Sequence, residues 1–336
     1  MSGICYIFVH RTLKPKKMAS FAIFNYQFSK IIPYHSGHSF SSNLRNEVEE
    51  KFQHRQEIFQ NILDKDYYAK QTTDIITFFG QHNDKEYDHV HIIPPTENIV
   101  MMRIANVRKT KYVNGEFNEY HVNDYQNSVV IIDNGPGIQR ILIENKIQAF
   151  KDVKQVARIL ENTFNMILES YHLKIELMHL QNSNDFWKYV EDRDSYPGGF
   201  YRVKFHLPHL NLKRLRKVYE SVLNQSRESF DSDLEWSLKA DEGGRINFNK
   251  KDKLQNTLIS YMMEDVGSDN IFLYPNDNKR KAIVVGRDSF AAVTISEETI
   301  KQIEKEARSG VLFGSFAFDE IKKKTVTGIV NKKTNG

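Results

Sequence analysis

Between Asp74 and Glu144 the chain breaks into short runs rich in Val, Ile, Phe, Tyr and Thr, a few residues apart. The runs are Asp74–Phe79, His89–Ile93, Asn98–Val107, Lys111–Val122, Ser128–Ile132 and Arg140–Glu144, with Asn114-Gly115 and Asn134-Gly135 at two of the breaks. Asn-Gly supplies the positive φ angles that tight hairpins need, and the intervals hold no crossover helices. This spacing predicts an antiparallel sheet and argues against a doubly wound parallel one. Gly3–Val9 and Ser20–Phe28 read as two earlier strands joined across Lys14-Pro15-Lys16-Lys17. Ser36–Ser42 offers N-cap residues for a helix from about Leu44 to Leu63, where Leu44, Val48, Phe52, Phe59, Ile62 and Leu63 recur at helical spacing.

Near residue 150 the period changes. Asp152–Ser170 carries one apolar stripe of Val153, Val156, Ala157, Leu160, Phe164, Ile167 and Leu168, the mark of an amphipathic helix. Strands over Lys174–Leu180, Phe200–Leu207, Leu234–Ala240, Ile271–Tyr274 and Ala282–Val285 then mix with helices over Asp185–Glu191, Asn211–Asn224, Lys253–Glu264 and Ser296–Ala307. The expected fold class is α+β, a strand-rich antiparallel N-terminal domain (1–148) followed by a mixed helix and sheet domain (149–310). Residues 311–336 read as a basic C-terminal tail, nearly core-free from Lys322 onward.

A length of 336 residues fits two domains, and 40% hydrophobic with 27% charged residues excludes wholesale disorder. No apolar run approaches 18 residues, so direct membrane insertion is not expected. Met1–His10 lacks a basic n-region and reads as a strand, not as a signal peptide. The single cysteine, Cys5, rules out a disulfide framework or a cysteine zinc cluster and fits a reducing cytoplasm. A net charge of +4 leaves any nucleic-acid binding to local patches.

Four groups of residues are candidates for chemistry. Asp133-Asn134-Gly135-Pro136-Gly137-Ile138 resembles the adenine-recognising box of the histidine-kinase, Hsp90 and gyrase ATPases, but between two Ile/Val-rich strands the same residues make a hairpin turn, the preferred reading. His89-x-His91 puts two imidazoles on one strand face. Asp88 is nearby, but metal sites need three or four ligands with second-shell support, and the sequence offers neither a cysteine for such a site nor a motif such as H-E-x-x-H, so no metal is expected, and no cofactor or catalytic residue is assigned. Asp231, Asp233, Glu235, Lys239 and Asp241 form a cluster from which a magnesium-dependent nuclease site would be built. Solvated turn charges explain it more simply. Lys213, Arg214, Arg216 and Lys217 occupy one side of the expected Asn211–Asn224 helix. With Arg108, Lys109, Lys111, Lys250 and Lys251 they are the phosphate-binding candidates.

Residues 125–290 resemble, in order and texture, a group of bacterial and prophage defence proteins that includes the lambda-type Rex exclusion protein and the DNA-binding subunit of Kiwa anti-phage systems. The strand Arg140–Glu144 running into the helix at Phe150–Ala157, and Asp233-Leu234-Glu235-Trp236 through Gly244, carry the likeness. It implies non-enzymatic binding of DNA, with self-association or a membrane-protein partner, and a protein partner from the same defence system. The expected function is sequence-tolerant nucleic-acid binding, DNA first, by a cytoplasmic homo-oligomer. The alternatives are a metal-dependent nuclease using Asp231–Asp241 and a scaffold that binds another protein through exposed aromatics.

Overall fold

The fold is α+β, seen in a computed structural model that describes residues 17–31, 42–68, 76–80, 85–207, 234–263, 270–276, 281–286, 290–312 and 314–327. The expected strand Gly3–Val9, the Ser36–Ser41 caps and the helix Asn211–Asn224 lie outside these residues.

The first sheet is antiparallel throughout. Strands β2 (Phe78–Phe79), β3 (Glu86–Thr96), β4 (Ile99–Val113), β5 (Glu119–Asp133) and β6 (Arg140–Glu144) form a meander in chain order. β1 (Met18–Lys30) lies beside β6, and its other edge is shared between two strands. β12 (Ala292–Ser296) pairs with Met18–Ala22, and β7 (Leu173–His179) pairs with Phe24–Lys30.

Both faces of this sheet are buried, which is why its central strands read as unbroken apolar runs. Along β5, Val130 and Ile132 join one core while Val129 and Ile131 join the other, as the two-residue period of a strand requires. The first core is closed by α2 (Arg55–Tyr68) and α3 (Val153–Leu168), through Phe59, Leu63, Val156, Leu160 and Phe164. α1 (Ser42–Gln53) precedes α2, and the break between them falls at His54. α3 begins where Asp152 accepts a hydrogen bond from the Gln155 amide at 2.8 Å, satisfying one of the helix's free N–H groups. The second core is closed by α6 (Glu297–Arg308) and α7 (Phe316–Thr327), through Ile300, Ile303, Ala317, Phe318 and Ile321. Ser296 caps α6, with Glu297 and Glu298 in its first turn and Lys305 and Arg308 in its last, each charge matched to the helix dipole.

The expected basic tail, 311–336, begins instead with a packed helix, and Thr325 lies within the stretch expected to be nearly core-free from Lys322. Phe318 and Ile321 are 2% and 1% exposed, and Thr325 is buried. Lys322, Lys323 and Lys324 drew the sequence reading toward a tail, yet Lys323 points away from that core while Lys322 and the half-buried Lys324 flank it. Lys322 forms an ion pair with Glu97. Residues 328–336 lie outside the described set.

A second, four-stranded antiparallel sheet has the order β11-β10-β8-β9, built from β8 (Phe200–Leu207), β9 (Leu234–Lys239), β10 (Ile271–Pro275) and β11 (Ile283–Val284). It packs against α4 (Ser183–Glu191) and α5 (Lys253–Tyr261). Residue 148 does not separate the two sheets, because the first takes β7, β12, α3, α6 and α7 from the chain beyond it. No helix among the described residues is long and apolar enough to cross a membrane.

Candidate functional site

The second sheet buries one face against its helices. Val203 and Phe205 of β8 and Ile271 and Leu273 of β10 point there, meeting Phe186, Trp187 and Ile259. Side chains alternate along a strand, so the residues between them reach the opposite face. The register sets that outer face in rows. Val284, Phe272, Lys204 and Ser237 lie abreast across all four strands, and Tyr274, Arg202 and Lys239 form the next row.

Cations and rings interleave on this face. The Arg202 guanidinium lies 5.2 Å from the centre of the Tyr274 ring, and the Lys204 ammonium 5.9 Å from that of Phe272. Arg202 also donates from Nε to Ser237 Oγ at 2.7 Å, which fixes the plane of its fork. Lys204 forms an ion pair with Glu235 at 2.5 Å. Lys239 is exposed at the strand end. Such a face can stack unpaired bases on its rings while its cations meet the phosphates between them.

The sequence-predicted cations fall elsewhere. Lys213, Arg214, Arg216 and Lys217 lie outside the described residues, in the connection between β8 and β9. Arg108, Lys109 and Lys111 lie on β4 and do not share one face. Arg108 donates to the Ala149 carbonyl at 3.3 Å and Lys111 pairs with Glu119 at 2.5 Å, on opposite sides of the strand from one another. Arg103, from the same run, is bound to Glu304 and Asn127. Lys250 and Lys251 are exposed in the turn that leads into α5. None of the described cations among these candidates belongs to the rows of the outer face. Sequence reasoning missed Arg202, Lys204, Phe272 and Tyr274 because it sought dense basic runs. The signal lay in the alternation of Arg202-Val203-Lys204-Phe205 and Ile271-Phe272-Leu273-Tyr274.

The other candidates resolve differently. β5 and β6 pair from Val130↔Ile143 to Asp133↔Arg140, so Asp133–Ile138 is the hairpin connection. Asp133 accepts from the Gly135 amide and from Thr325, so both its oxygens are engaged inside the protein. In the acidic cluster Asp231 and Asp233 lie outside the described residues. Glu235 is engaged with Lys204, and Asp241 sits at an exposed turn. For His89 and His91, the fold brings up a carboxylate that is distant in sequence. Asp66 reaches both imidazoles from α2.

No protein-family model, no curated protein and no solved structure matches the chain.

Proposed function

We propose that this protein binds nucleic acid without sequence preference, seating a single-stranded segment across the outer face of the second sheet. The observation that carries the reading is the pair of cross-strand contacts Arg202–Tyr274 and Lys204–Phe272, which place two cations and two rings side by side on one sheet face. Rings accept any base, and cations follow the backbone, so affinity would be tolerant of sequence and sensitive to salt. Nothing in this reading calls for covalent chemistry. The anti-phage setting rests on the resemblance of residues 125–290 alone.

Fluorescence-polarisation titrations against single-stranded DNA, duplex DNA and RNA test it. Stacking contributes about 1–3 kcal/mol per base, so Phe272→Ala with Tyr274→Ala should weaken single-strand binding by roughly tenfold or more. Arg202→Glu with Lys239→Glu should flatten the salt dependence by about 1–2 in slope, at roughly 0.7 per phosphate on a single strand. Binding and slope equal to wild type in both variants would remove the proposal.

A protein-partner reading has separate support in the β4–β5 pair. Past Asn106 these strands run on without a third strand among the described residues, and Tyr112, Phe117, Tyr120 and Tyr125 are exposed along them and at their tip. If this arm joins copies of the chain, light scattering should show a homo-oligomer that becomes a monomer once the arm is shortened to a tight turn.

A further inference from the structure

Asp66 is among the most buried charged groups of the first core, and it faces two histidines at once. It lies near the end of α2, while His89 and His91 are alternate residues of β3 and so share one strand face. Asp66 Oδ2 accepts from His89 Nε2 at 2.8 Å and from His91 Nε2 at 2.6 Å. Its second oxygen accepts from the Ile76 amide at 2.9 Å. The side chains of Asp66, His89 and His91 are 0%, 8% and 1% exposed. Phe78 packs edge-on to the His89 ring at 4.7 Å and Tyr67 to the His91 ring at 5.5 Å, so neither imidazole swings freely.

We infer that Asp66, His89 and His91 form a binding site for a divalent first-row transition ion, zinc above all. Two features point beyond a mere clamp between α2 and β3. Both imidazoles present the same atom, Nε2, to one carboxylate oxygen, so three ligand atoms converge within 4.8 Å of one another instead of pairing off. The donors, two imidazoles and a carboxylate, are also the set that borderline divalent ions favour.

Loading the ion asks for side-chain adjustment. Tetrahedral donors about 2.0–2.1 Å from zinc stand roughly 3.3 Å apart, so each imidazole nitrogen must draw back from Asp66 by about half an ångström or slightly more, and the two nitrogens, which lie within 4.8 Å of each other, must settle at that same spacing. Three protein ligands leave a fourth position, the pattern of catalytic and not of structural zinc. Asp66 also borders a cleft of about 470 Å3, lined further by Lys65, Thr77, Thr163 and Tyr171, wide enough for water and a small ligand. The inference is independent of the nucleic-acid reading, since the cluster belongs to the first sheet and the outer face to the second.

The test uses the full chain, stripped with EDTA and titrated with zinc chloride alone. Calorimetry should give one ion per chain, and saturation should raise Tm, because an ion that binds only the folded state stabilises it. His91→Ala and Asp66→Asn should each weaken this binding at least a hundredfold. Should either variant fail to fold, cobalt(II) added to the wild-type chain decides the matter. Cobalt in a site of four or five ligands absorbs visible light strongly, and zinc should abolish that band stoichiometrically. Zinc binding that survives both substitutions would overturn the inference, as would a wild-type chain with neither stoichiometric zinc nor the cobalt band.

Discussion

At the scale of single residues, the turn between β5 and β6 is held by buried and half-buried polar groups. The Tyr26 hydroxyl donates to Asn134 Oδ1 at 2.7 Å, and the Asn134 amide donates to the Gln56 carbonyl and to Gln60 on α2. Burial, reinforced by the nearby Asp133, pushes the Tyr26 phenol well above its ordinary pKa, so it remains a neutral donor. Tyr26→Phe leaves the Asn134 oxygen buried without that donor and should cost about 1–3 kcal/mol in urea denaturation. A loss under about 0.5 kcal/mol would mean that Asn134 finds another donor. Glu161 on α3 gives the matching pH prediction. Burial raises its pKa; the Leu177 N–H accepted by its Oε2 at 3.1 Å opposes this, and Glu176 adds like charge. A carboxyl with a raised folded pKa favours the native state below its unfolded value, and that contribution is lost as pH rises through the folded value. Glu161→Gln removes the charge and keeps an acceptor for Leu177. Thermal melts should therefore show the variant equal to or above wild type at pH 7, losing that advantage below the ordinary carboxyl pKa of 4.5. A variant clearly less stable than wild type at pH 7 would contradict this.

At the scale of elements, amphipathic pattern decided what could be read. The stripe of α3 and the Ile/Val runs of β5 and β6 announce their positions, because each buries a full face. α7 does not, since only Ala317, Phe318 and Ile321 reach the core while Lys322, Lys323 and Lys324 dominate the local composition. Phe318→Ala should cost about 3–5 kcal/mol by chemical denaturation, the usual loss for a buried aromatic. A change near zero would restore the reading of a tail. The strand pair β4–β5 was legible as strands but not as an arm, because nothing in the sequence tells where the neighbouring strands stop. Seven cross-strand pairs, from Val107↔Tyr125 to Val113↔Glu119, run past the sheet, a reach of about 24 Å. Among the described residues no layer packs on either face of this arm, so hydrogen exchange should be orders of magnitude faster at 108–124 than at 129–132. Equal protection along the whole of β5 would show that something covers the arm.

For the whole molecule, a boundary at residue 148 follows naturally from the change of period there, yet the second sheet is an insertion in the chain that builds the first. The first sheet is completed by β7 and β12, on either side in sequence of every strand of the second sheet. Long-range pairing of this kind leaves no local pattern, and so it was not legible. The same holds for Asp66 with His89 and His91, which meet only because α2 lies over β3. Two residues after β7 form the junction between the sheets. The Leu180 amide donates to the Ile23 carbonyl in the first sheet, and its own carbonyl accepts from Ala291. Gln181 donates from its backbone to Met263, just past α5, and from its side chain to the Gly286 carbonyl at 2.8 Å. Gly286 has φ of +71°, and a Cβ there would fall 2.3 Å from the carboxamide of Gln181, which is only 1% exposed. Gly286→Ala therefore combines left-handed backbone strain with loss of the Gln181 hydrogen bond, together about 2–4 kcal/mol. The protein carries its own local probe of the consequence. Both of its tryptophans, Trp187 and Trp236, pack in the second core, so their fluorescence follows that sheet, whereas far-ultraviolet circular dichroism follows the whole chain. In the wild type the two signals should melt together, since coincident transitions mark one cooperative fold. In Gly286→Ala the fluorescence midpoint should fall several degrees ahead of the dichroism midpoint, the second sheet releasing first. If both midpoints fall by the same amount, the junction is not what couples the two sheets, and their cooperativity must come from apolar packing elsewhere.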